Sequence, residues 1–456
     1  MSALGTISTD QIPSVVKNGQ CIGCGFCQID VARSETTARI DMTFSTEEEI
    51  WTPSLNGLIN EAAAGLRVCP GAKMDMQGVA QAVFNRQPDD ALVGESLLIA
   101  AGYAHDPSVR QAAASGGVTT ALLDHLFARG EIDVAYCSAG RDPKHGKAVL
   151  ARSSDEIRQA MGSHYHPINY GSQLPALVDS SDRFAFVGLP CEIAAMREVM
   201  MARPDVRDRC VALIGLFCGG INRFSGIGKY IENFGTDPKA VDDIDYRDGA
   251  WPGQIRLTTT DGAAPKIIPR IMNNSRWNIL RYVISFQGYW MLPRCRICPD
   301  QIADFADIAV GDPHLPRFKS YGSPGYSAVI ARTKKGLEII NDAVEASAVV
   351  LEPLSRDELV KSQGYTLENR RQALLYSKVA SFLGMKPPEI SIYKGLQNHK
   401  TWHQYVYAFV DLIKIKVRQR KWLRPFYMPL QIFEYLFLTF SVRVLLNRLG
   451  KLARGK

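Results

Sequence analysis

Four cysteines near the start of the chain have the spacing of an iron-sulfur ligand set. Cys21, Cys24 and Cys27 repeat at intervals of three residues in the stretch CIGCGFC, and Cys69 is followed directly by Pro70. In two-cluster ferredoxins the motif is C-x2-C-x2-C-x3-C-P, and the fourth cysteine of each run binds the cluster of the other run. We therefore predict that Cys69 completes the set and that one 4Fe-4S cluster is present where a ferredoxin has two.

A structural zinc site is the alternative for these four thiols, because C-x2-C pairs are also common zinc ligands. The third cysteine at the same interval and the proline after the fourth favour iron and sulfide. A disulfide framework is not expected for the ten cysteines of the chain. The N-terminal residues contain no recognisable secretory or transit signal, so we expect a cytoplasmic location, where thiols stay reduced.

A second set of four cysteines is predicted at the ends of strands. Cys191 and Cys218 each follow an apolar, strand-like run, and ligands in open α/β sheets collect beyond the carboxyl ends of the strands. The pair in RCRIC supplies two more thiols. The predicted ligands of the second 4Fe-4S cluster are Cys191, Cys218, Cys295 and Cys298.

This second spacing is less specific than the first. A lone C-x2-C pair is also found in zinc ribbons and redox pairs, and cysteines at strand ends are often simply buried small residues. Cys137 and Cys210 lie in apolar, strand-like sequence and are predicted to belong to the core.

The chain has no G-x-G-x-x-G or G-x4-G-K-[ST] motif, so an organic cofactor would need a different site. One candidate is the start of a predicted helix over residues 115–130, where Ser115, Gly116, Gly117 and Thr119 are located. Oriented backbone N–H groups at a helix start favour a phosphate. The alternative is an ordinary capped turn.

The stretch MGSHYHP, residues 161–167, is a second small-residue turn with hydroxyl and aromatic groups. Gly162, Ser163 and Tyr165 are its candidate cofactor-binding residues. The Tyr165 ring is able to stack on an isoalloxazine, but it is equally compatible with an ordinary turn tyrosine. The two histidines, His164 and His166, are expected to be solvated or hydrogen-bonded and not to bind a metal.

The elements that must position these residues follow an α/β pattern from about residue 97. Besides the helix over 115–130, strands are predicted at 132–137, 183–188, 211–217 and 307–311, the last leading to Asp312, and a β-hairpin at 244–262. Residues 85–96 have the composition of a polar linker. The predicted domains are a ferredoxin-like domain at 1–84, a cofactor-binding domain at 97–395 and a tail at 396–456.

The positive charge of the chain is concentrated in its tail. The whole chain has a formal charge of +7, whereas residues 400–456 have twelve Lys or Arg and two acidic residues, a net +10, so the rest sums to −3. No nucleic acid partner is expected of such a body. The apolar stretches of the tail are shorter than the ~20 residues of a membrane-spanning helix. We predict an amphipathic segment on an anionic membrane surface; the alternative is a helix packed on the protein itself or on a partner.

Six ordered motifs over residues 97–350 make the chain resemble the beta subunit family of hydrogenases that reduce the deazaflavin coenzyme F420. Relatives of that family include formate dehydrogenase beta subunits, 7-hydroxymethyl chlorophyll a reductase and a ferredoxin-dependent divinyl chlorophyllide reductase. The motifs are Ser115-Gly116-Gly117-x-Thr119, Gly162-Ser163-x-Tyr165, Gly188-Leu189-Pro190-Cys191-x-Ile193-Ala194, Phe217-Cys218-Gly219, Cys295-x-x-Cys298-x-Asp300 and Ala306-Asp307-Ile308-x-Val310-Gly311-Asp312.

The resemblance implies an α/β (α+β) iron-sulfur flavoprotein core with an N-terminal ferredoxin-like domain and a C-terminal basic amphipathic helical tail. It implies that the first two motifs line an FAD site and that the second set of cysteines holds a 4Fe-4S cluster. Two features depart from the family pattern. Family members often have Lys or Arg where this chain has His164, and the N-terminal domain lacks half of the ferredoxin pair.

We expect an oxidoreductase that passes electrons from a one-electron donor such as ferredoxin, or another redox protein, through two 4Fe-4S clusters to FAD and an organic acceptor. One alternative is an electron-transfer beta subunit of a larger hydrogenase or dehydrogenase complex that uses the deazaflavin coenzyme F420. Another is a zinc-stabilised scaffold without enzymatic activity. No general acid and base are apparent, and Asp312 and His164 are the only candidates for a proton donor. The expected location is cytoplasmic, with the tail allowing a peripheral position on the inner face of the cell membrane.

Overall fold

The computed structural model describes residues 5–8, 11–32, 40–54, 65, 67–143, 146–249, 251–269, 290–318, 324–396, 401–418 and 422–423. The N-terminal region consists of short strands and two helices around the first cysteine set. Its elements are β1 (Thr6–Ile7), α1 (Ile12–Lys17), β2 (Met42–Ser45), β3 (Ile50–Pro53), β4 (Arg67–Val68), β5 (Lys73–Asp75) and α2 (Met76–Phe84).

The strands of the N-terminal region are two to four residues long. β1 pairs with β4 and β2 with β3, both antiparallel, and β5 pairs parallel with the strand Glu389–Ser391 near the other end of the chain. Such short strands cannot bury a core alone, so the region depends on packing against the rest of the protein. Phe26 is fully buried and meets Phe186 edge-on, with ring centroids 6.2 Å apart. The hydrophobic core is thus continuous from the first cysteine loop into the central sheet.

The central region alternates strands and helices. Its first half contains β6 (Leu98–Ala104), α3 (Pro107–Ala112), α4 (Val118–Ala128), β7 (Val134–Ala139), β8 (Lys147–Ala151), α5 (Ser154–Gln159), α6 (Leu174–Asp179), β9 (Phe184–Gly188), α7 (Pro190–Ala202), α8 (Pro204–Arg209) and β10 (Cys210–Leu216).

The second half of the chain adds a small antiparallel sheet and supplies the remaining strands of the central sheet. Its elements are α9 (Phe224–Glu232), β11 (Val241–Asp248), β12 (Gln254–Thr259), β13 (Lys266–Pro269), α10 (Pro293–Arg296), β14 (Ile308–Gly311), β15 (Ser327–Ala331), α11 (Lys334–Glu345), β16 (Val349–Pro353), α12 (Arg356–Ser362), α13 (Gly364–Phe382), β17 (Glu389–Ser391) and α14 (Trp402–Arg418).

The main sheet has eight strands in the order β16-β6-β15-β14-β10-β9-β7-β8. The four inner strands β14, β10, β9 and β7 are parallel, and the flanking strands are antiparallel. Side chains of a strand alternate between the two faces. On β9, Phe184 and Phe186 pack in one core, and Ala185 and Val187 pack in the other. Buried residues of α7 lie in the first core and those of α4 and α11 in the second, so the predicted α/β class is confirmed.

The predicted elements of the central region are present. Helix α4 buries Val118, Ala121, Leu122, His125 and Leu126, the predicted face, and the four predicted strands correspond to β7, β9, β10 and β14. The predicted hairpin is β11 and β12, with β13 added as a third strand.

Two cysteines and the predicted linker belong to the interior. Cys137 and Cys210 are 7% and 3% exposed, which confirms that they are core residues. The segment at residues 85–96 is anchored and not a free linker. Val93 is fully buried, and the Arg332 guanidinium donates to the carbonyl oxygens of Val93 and Glu95 at 2.9 and 2.8 Å.

The described part of the tail is helix α14, which packs against α13. Ala408, Leu412 and Ile415 of α14 are buried against Leu375 and Val379 of α13. This side of the helix fits the alternative prediction, a helix packed on the protein itself. The remaining residues of the predicted tail, 397–400, 419–421 and 424–456, lie outside the described residues. None of the described helices is both long and apolar enough to cross a membrane.

Candidate functional site

A cavity of about 630 Å³ opens beyond the carboxyl ends of β9, β10 and β14. This is the edge at which ligands bind in open α/β sheets, and the volume lies in the usual range of small-molecule sites. Three parts of the chain form its walls: the start of α4, the turn at 161–167 and the residues that follow the strands. The N-terminal region contributes a fourth wall through Ile22, Gly23, Ile50 and Trp51.

The start of α4 is shaped by two glycines. Gly117 has φ +78°, a left-handed conformation that favours glycine, and precedes the first helical residue. A Cβ on Gly116 would lie 2.4 Å from the carbonyl oxygen of Gly102. Gly116 therefore packs against the sheet behind the cavity, whereas Ser115, Gly117 and Thr119 line the cavity itself.

The turn at residues 161–167 brings Gly162, Ser163 and Tyr165 into the wall of the same cavity. The Tyr165 ring meets the ring of Tyr246 edge-on at 5.1 Å, so the fold of the hairpin sheet sets its orientation. Six of the seven predicted cofactor-binding residues thus face one space. His166 is 4% exposed and lies 2.8 Å from the Tyr246 hydroxyl through Nδ1. It is hydrogen-bonded as predicted, but it is not solvated.

The sequence analysis did not identify Arg247, which lies at the centre of the cavity wall. Its Nη2 donates to Asp312 Oδ2 at 2.8 Å and to the Tyr165 hydroxyl at 3.2 Å. Burial alone would raise the pKa of Asp312, but the Arg247 charge and a hydrogen bond from Ser115 lower it below the usual value. Asp312 is therefore an ionised, ion-paired carboxylate, which fits an anchoring role better than proton donation.

The first cysteine set surrounds a small space of about 20 Å³. Its walls contain Cys21, Cys24, Cys27 and Cys69 together with apolar side chains such as Ile12 and Val15. Burial raises the pKa of the Cys21 thiol to about 12. Burial also raises the pKa of the other three thiols above the usual value. Neutral, buried thiols become thiolates only when a metal or cluster compensates their charge.

Glycines allow the first cysteine loop to fold tightly against its neighbours. Gly23 and Gly25 both have φ +75°. A Cβ on Gly25 would lie 2.4 Å from the Cα of Gly171, and a Cβ on Gly23 would lie 2.9 Å from the carbonyl oxygen of Trp51. The close contact between Gly25 and Gly171 attaches the cysteine loop to the central region, and Gln28 Nε2 strengthens it by donating to the Gly171 carbonyl at 2.8 Å.

The second cysteine set is assembled from three separate segments. Cys191 lies in the first turn of α7, Cys218 follows β10, Cys295 lies in α10, and Cys298 follows α10. The backbone N–H groups of Gly220 and Ile221 donate to the Sγ atoms of Cys218 and Cys295, both at 3.3 Å. Hydrogen bonds from backbone N–H groups to sulfur are typical of cluster-binding loops, where they influence the reduction potential.

The two sets are neighbours. Burial raises the pKa of Cys191, and Glu192, Cys298, Cys218 and Cys24 add to the increase, so a thiol of the first set acts electrostatically on a thiol of the second. Cys218 also lines the large cavity. The second set therefore lies close to the first set and borders the cavity through Cys218.

Glu192 is a further buried group of this wall that the sequence analysis did not single out. Burial raises the pKa of its carboxyl group to about 8, although it accepts a hydrogen bond from the Leu189 N–H at 2.6 Å. The capping position of a glutamate in the first turn of a helix was visible in the sequence. That it faces a cavity depends on the tertiary structure.

Each of the two sets offers four thiols to a metal ion or to an iron-sulfur cluster. All ten cysteines are free. Among the described residues, no three Cys, His, Asp or Glu side chains converge closely enough to hold one metal ion. Tetrahedral zinc requires four ligands around a single ion at about 2.3 Å from sulfur, whereas each thiolate of a 4Fe-4S cluster binds a different iron.

Comparison with protein families gives two adjoining matches to the beta subunit of coenzyme F420 hydrogenase/dehydrogenase. Residues 99–174 match the model of the N-terminal part of that beta subunit, and residues 181–357 match the model of its C-terminal part. Together the two matches cover more than half of the chain.

Individual relatives span more of the chain. It is 24% identical over 382 residues to a subunit of the F(420)H(2) dehydrogenase of Methanosarcina mazei, a match that covers 79% of this chain and 92% of that protein. It is 24% identical over 278 residues to the beta subunit of the coenzyme F420 hydrogenase of Methanosarcina barkeri, covering 58% and 85%. A chain of the F420-reducing NiFe hydrogenase complex of Methanosarcina barkeri superposes on this chain with a TM-score of 0.50 at 22% sequence identity. The superposition covers 66% of this chain and 98% of that one, so the two chains have a similar fold.

Proposed function

Because the chain belongs to the coenzyme F420 hydrogenase/dehydrogenase beta subunit family, we propose that it is an electron-transfer subunit that connects iron-sulfur clusters to the deazaflavin coenzyme F420. This is the alternative function from the sequence analysis. The names of the relatives favour it over a self-contained ferredoxin-dependent reductase, because they are subunits of F420-dependent hydrogenases and dehydrogenases.

One observation carries the proposal: a single cavity is walled by both the first cysteine loop and the strand-end loop of the second set. Gly23 lies in the CIGCGFC loop, and Cys218 is a member of the second set. Electrons that arrive at the first set therefore have a short route past the second set to a molecule in the cavity. Ferredoxin, another redox protein or a partner subunit would exchange single electrons at the first set.

The residues of the cavity fit a flavin. The proposed ligands are Ser115, Gly117 and Thr119 at the start of α4, where N–H groups and hydroxyls favour phosphate, and Gly162, Ser163 and Tyr165 in the facing turn. Gly116 supports them from behind. A bound FAD would exchange single electrons with the clusters and a hydride with the deazaflavin, which joins one-electron to two-electron chemistry.

The protein's own groups would orient that reaction. Arg247 is fixed between Asp312 and Tyr165 by hydrogen bonds of 2.8 and 3.2 Å, so it presents an oriented, ion-paired guanidinium to the cavity. This guanidinium comes from the hairpin sheet and would take the place of the Lys or Arg that family members often have at the position of His164. Trp51 and Ile22 close the cavity from the N-terminal side and exclude water.

Anaerobic preparation of the whole chain tests the proposal. Iron, acid-labile sulfide and released flavin are measured first, and then the protein is mixed with reduced F420. We expect two 4Fe-4S clusters and one flavin per chain, and reduction of the clusters as F420 is oxidised. Clusters that are reduced by ferredoxin but not by F420 would favour the self-contained reductase instead. Colourless protein with stoichiometric zinc would establish the scaffold alternative.

For the tail we propose contact with an anionic membrane surface. Trp402, Tyr405, Val406 and Phe409 follow helical spacing on α14 and are exposed, with Trp402 at 67%. An apolar stripe beside basic residues is typical of interfacial helices. A peripheral position on the inner face of the cell membrane follows from this proposal.

Flotation with anionic and with neutral vesicles tests the membrane contact. Deleting residues 424–456 leaves α14 in place, and the substitutions Val406→Ser and Phe409→Ser remove only exposed apolar groups. We expect both changes to reduce flotation with anionic vesicles. Equal flotation of all three proteins would contradict the proposal.

A further inference from the structure

Arg294 lies between the two cysteine sets. It directly precedes Cys295 in α10 and is 2% exposed. Its Nε donates to the carbonyl oxygen of Pro70 at 2.9 Å, and Pro70 directly follows Cys69 of the first set. One side chain thus connects the segment that holds the last ligand of the first set to the segment that holds two ligands of the second.

The charge of Arg294 has no acidic partner among the described residues. Nη2 is buried and forms no hydrogen bond there, and no carboxylate lies within ion-pair distance of the guanidinium in that part of the chain. A buried, uncompensated cation is costly for a folded protein. Other buried arginines of this protein do have a carboxylate partner: Arg370 and Arg332 both pair with Asp304.

The thiols around Arg294 belong to both sets. Cys69 directly precedes Pro70, whose carbonyl oxygen accepts the Arg294 hydrogen bond, and Cys295 and Cys298 follow Arg294 by one and four residues. A 4Fe-4S cluster with four thiolate ligands is negatively charged and becomes more negative on reduction. A cation placed between two such clusters is therefore compensated only when they are present.

We propose that Arg294 is a positioning and tuning residue shared by the two clusters, which stabilises the reduced state of both and holds the two ligand segments together. The inference rests on the proposed clusters. A cation beside a cluster favours the added electron and raises the reduction potential, and net charge and hydrogen bonding are established determinants of that potential. Because one guanidinium acts on both clusters, it raises both reduction potentials together.

The test is a redox titration of each cluster, followed by electron paramagnetic resonance, in the wild type and in Arg294→Gln. The Cys27→Ser and Cys218→Ser variants assign the two signals. Glutamine retains an N–H donor for Pro70 but removes the charge. We expect both clusters to become harder to reduce, by about tenfold in the equilibrium constant, which is 59 mV for a one-electron couple.

Arg296→Gln is the matched control, because Arg296 lies in the same short helix, also beside Cys295, but is paired with Asp411 at 3.2 Å. Its loss should shift only the second cluster, and less. If Arg294→Gln leaves both potentials unchanged, or shifts only the second cluster as Arg296→Gln does, the shared role is wrong.

A further variant covers the case in which Arg294→Gln does not assemble its clusters. Arg294→Lys keeps the positive charge, but a single ammonium group cannot contact both sets. At least one of the two reduction potentials should therefore fall. If both potentials are unchanged, the proposal is wrong. Iron and sulfide analysis of the wild type separates this from the proposed function. A wild type without clusters would remove both proposals, whereas clusters with unaltered potentials would remove only the role of Arg294.

Discussion

The two cysteine sets are built in opposite ways. In the first, three of four thiols lie within seven residues, on a loop whose shape depends on Gly23 and Gly25. In the second, the thiols come from three segments that are brought together by the ends of β9 and β10 and by α10. The first set is thus specified locally and held in place by backbone contacts. The second is specified by the sheet and held in place by the buried core and by buried charges.

Replacing one cysteine in each set should have the largest effect and should separate their roles. Cys218→Ser removes a ligand of the proposed second cluster, so reduced F420 should no longer reduce the proposed first cluster. Cys24→Ser removes a ligand of the proposed first cluster but should leave the second one reducible by F420. Electron paramagnetic resonance after mixing with reduced F420 measures both. Cys210→Ala is the control, because Cys210 is a buried core residue outside both sets; loss of either signal there would contradict the assignment.

The buried charges behind the second set provide the next test. Asp304 is fully buried, with Oδ1 2.7 Å from Nη1 of Arg370 and 3.5 Å from Nη2 of Arg332. Asp304→Asn leaves two buried cations without enough negative charge, so we expect the free energy of unfolding to fall by about 3–5 kcal/mol. The proposed second cluster should be lost before the chain unfolds. Denaturant unfolding and iron content are the measurements.

Asp89→Asn serves as the control for this change. Asp89 pairs with Arg86 at 2.7 Å on the surface, with the Asp89 side chain 88% exposed. A loss of about 0–1 kcal/mol is expected of such a pair. Equal losses from Asp304→Asn and Asp89→Asn would show that buried charge does not support the second region.

A glycine substitution tests whether the first region depends on its backbone. Gly25→Ala places a Cβ against Gly171 in a left-handed conformation, so we expect a loss of about 2–5 kcal/mol and poor loading of the first cluster. Gly219→Ala beside Cys218 is the counterpart, since no atom lies within 4 Å of its added Cβ and its φ is not positive. Thermal unfolding of both variants distinguishes the regions; a harmless Gly25→Ala would mean that the loop adapts.

The smallest expected effect is a pH dependence of the free energy of unfolding, which arises from His166 in the turn at residues 161–167. Burial lowers the pKa of His166 to about 3, from an unfolded value near 6.5. The neutral imidazole therefore contributes stability that is complete above about pH 6.5 and is lost as the pH falls toward 3. Between pH 7 and pH 5 the loss should be about 2 kcal/mol.

His166→Gln should remove that part of the acid dependence, as measured by denaturant unfolding at several pH values. Replacement of the exposed His105 by Asn is the control and should leave the dependence as it is. An unaltered acid slope in His166→Gln would assign the loss of stability to other groups.

Much of the site could be predicted because its parts are short and periodic. The cysteine interval of the first set, the strand runs before Cys191 and Cys218, and the Ser-Gly-Gly start of α4 are all visible within a few residues. Gly116 illustrates the limit. It was predicted as a cofactor-binding residue, but whether it lines the cavity or packs on Gly102 depends on a strand that is adjacent in space and not in sequence.

The sequence by itself determined the α/β class and the family, because strand periodicity and the order of the motifs decide these. The grouping of eight cysteines into two ligand sets stays a prediction. Only the tertiary structure decided that Arg247 reaches Asp312 and that Arg294 touches the segments of both sets. The physical reason is that a buried charge acts through space at a few ångströms, and no pattern along the chain records which distant segments fold to that distance.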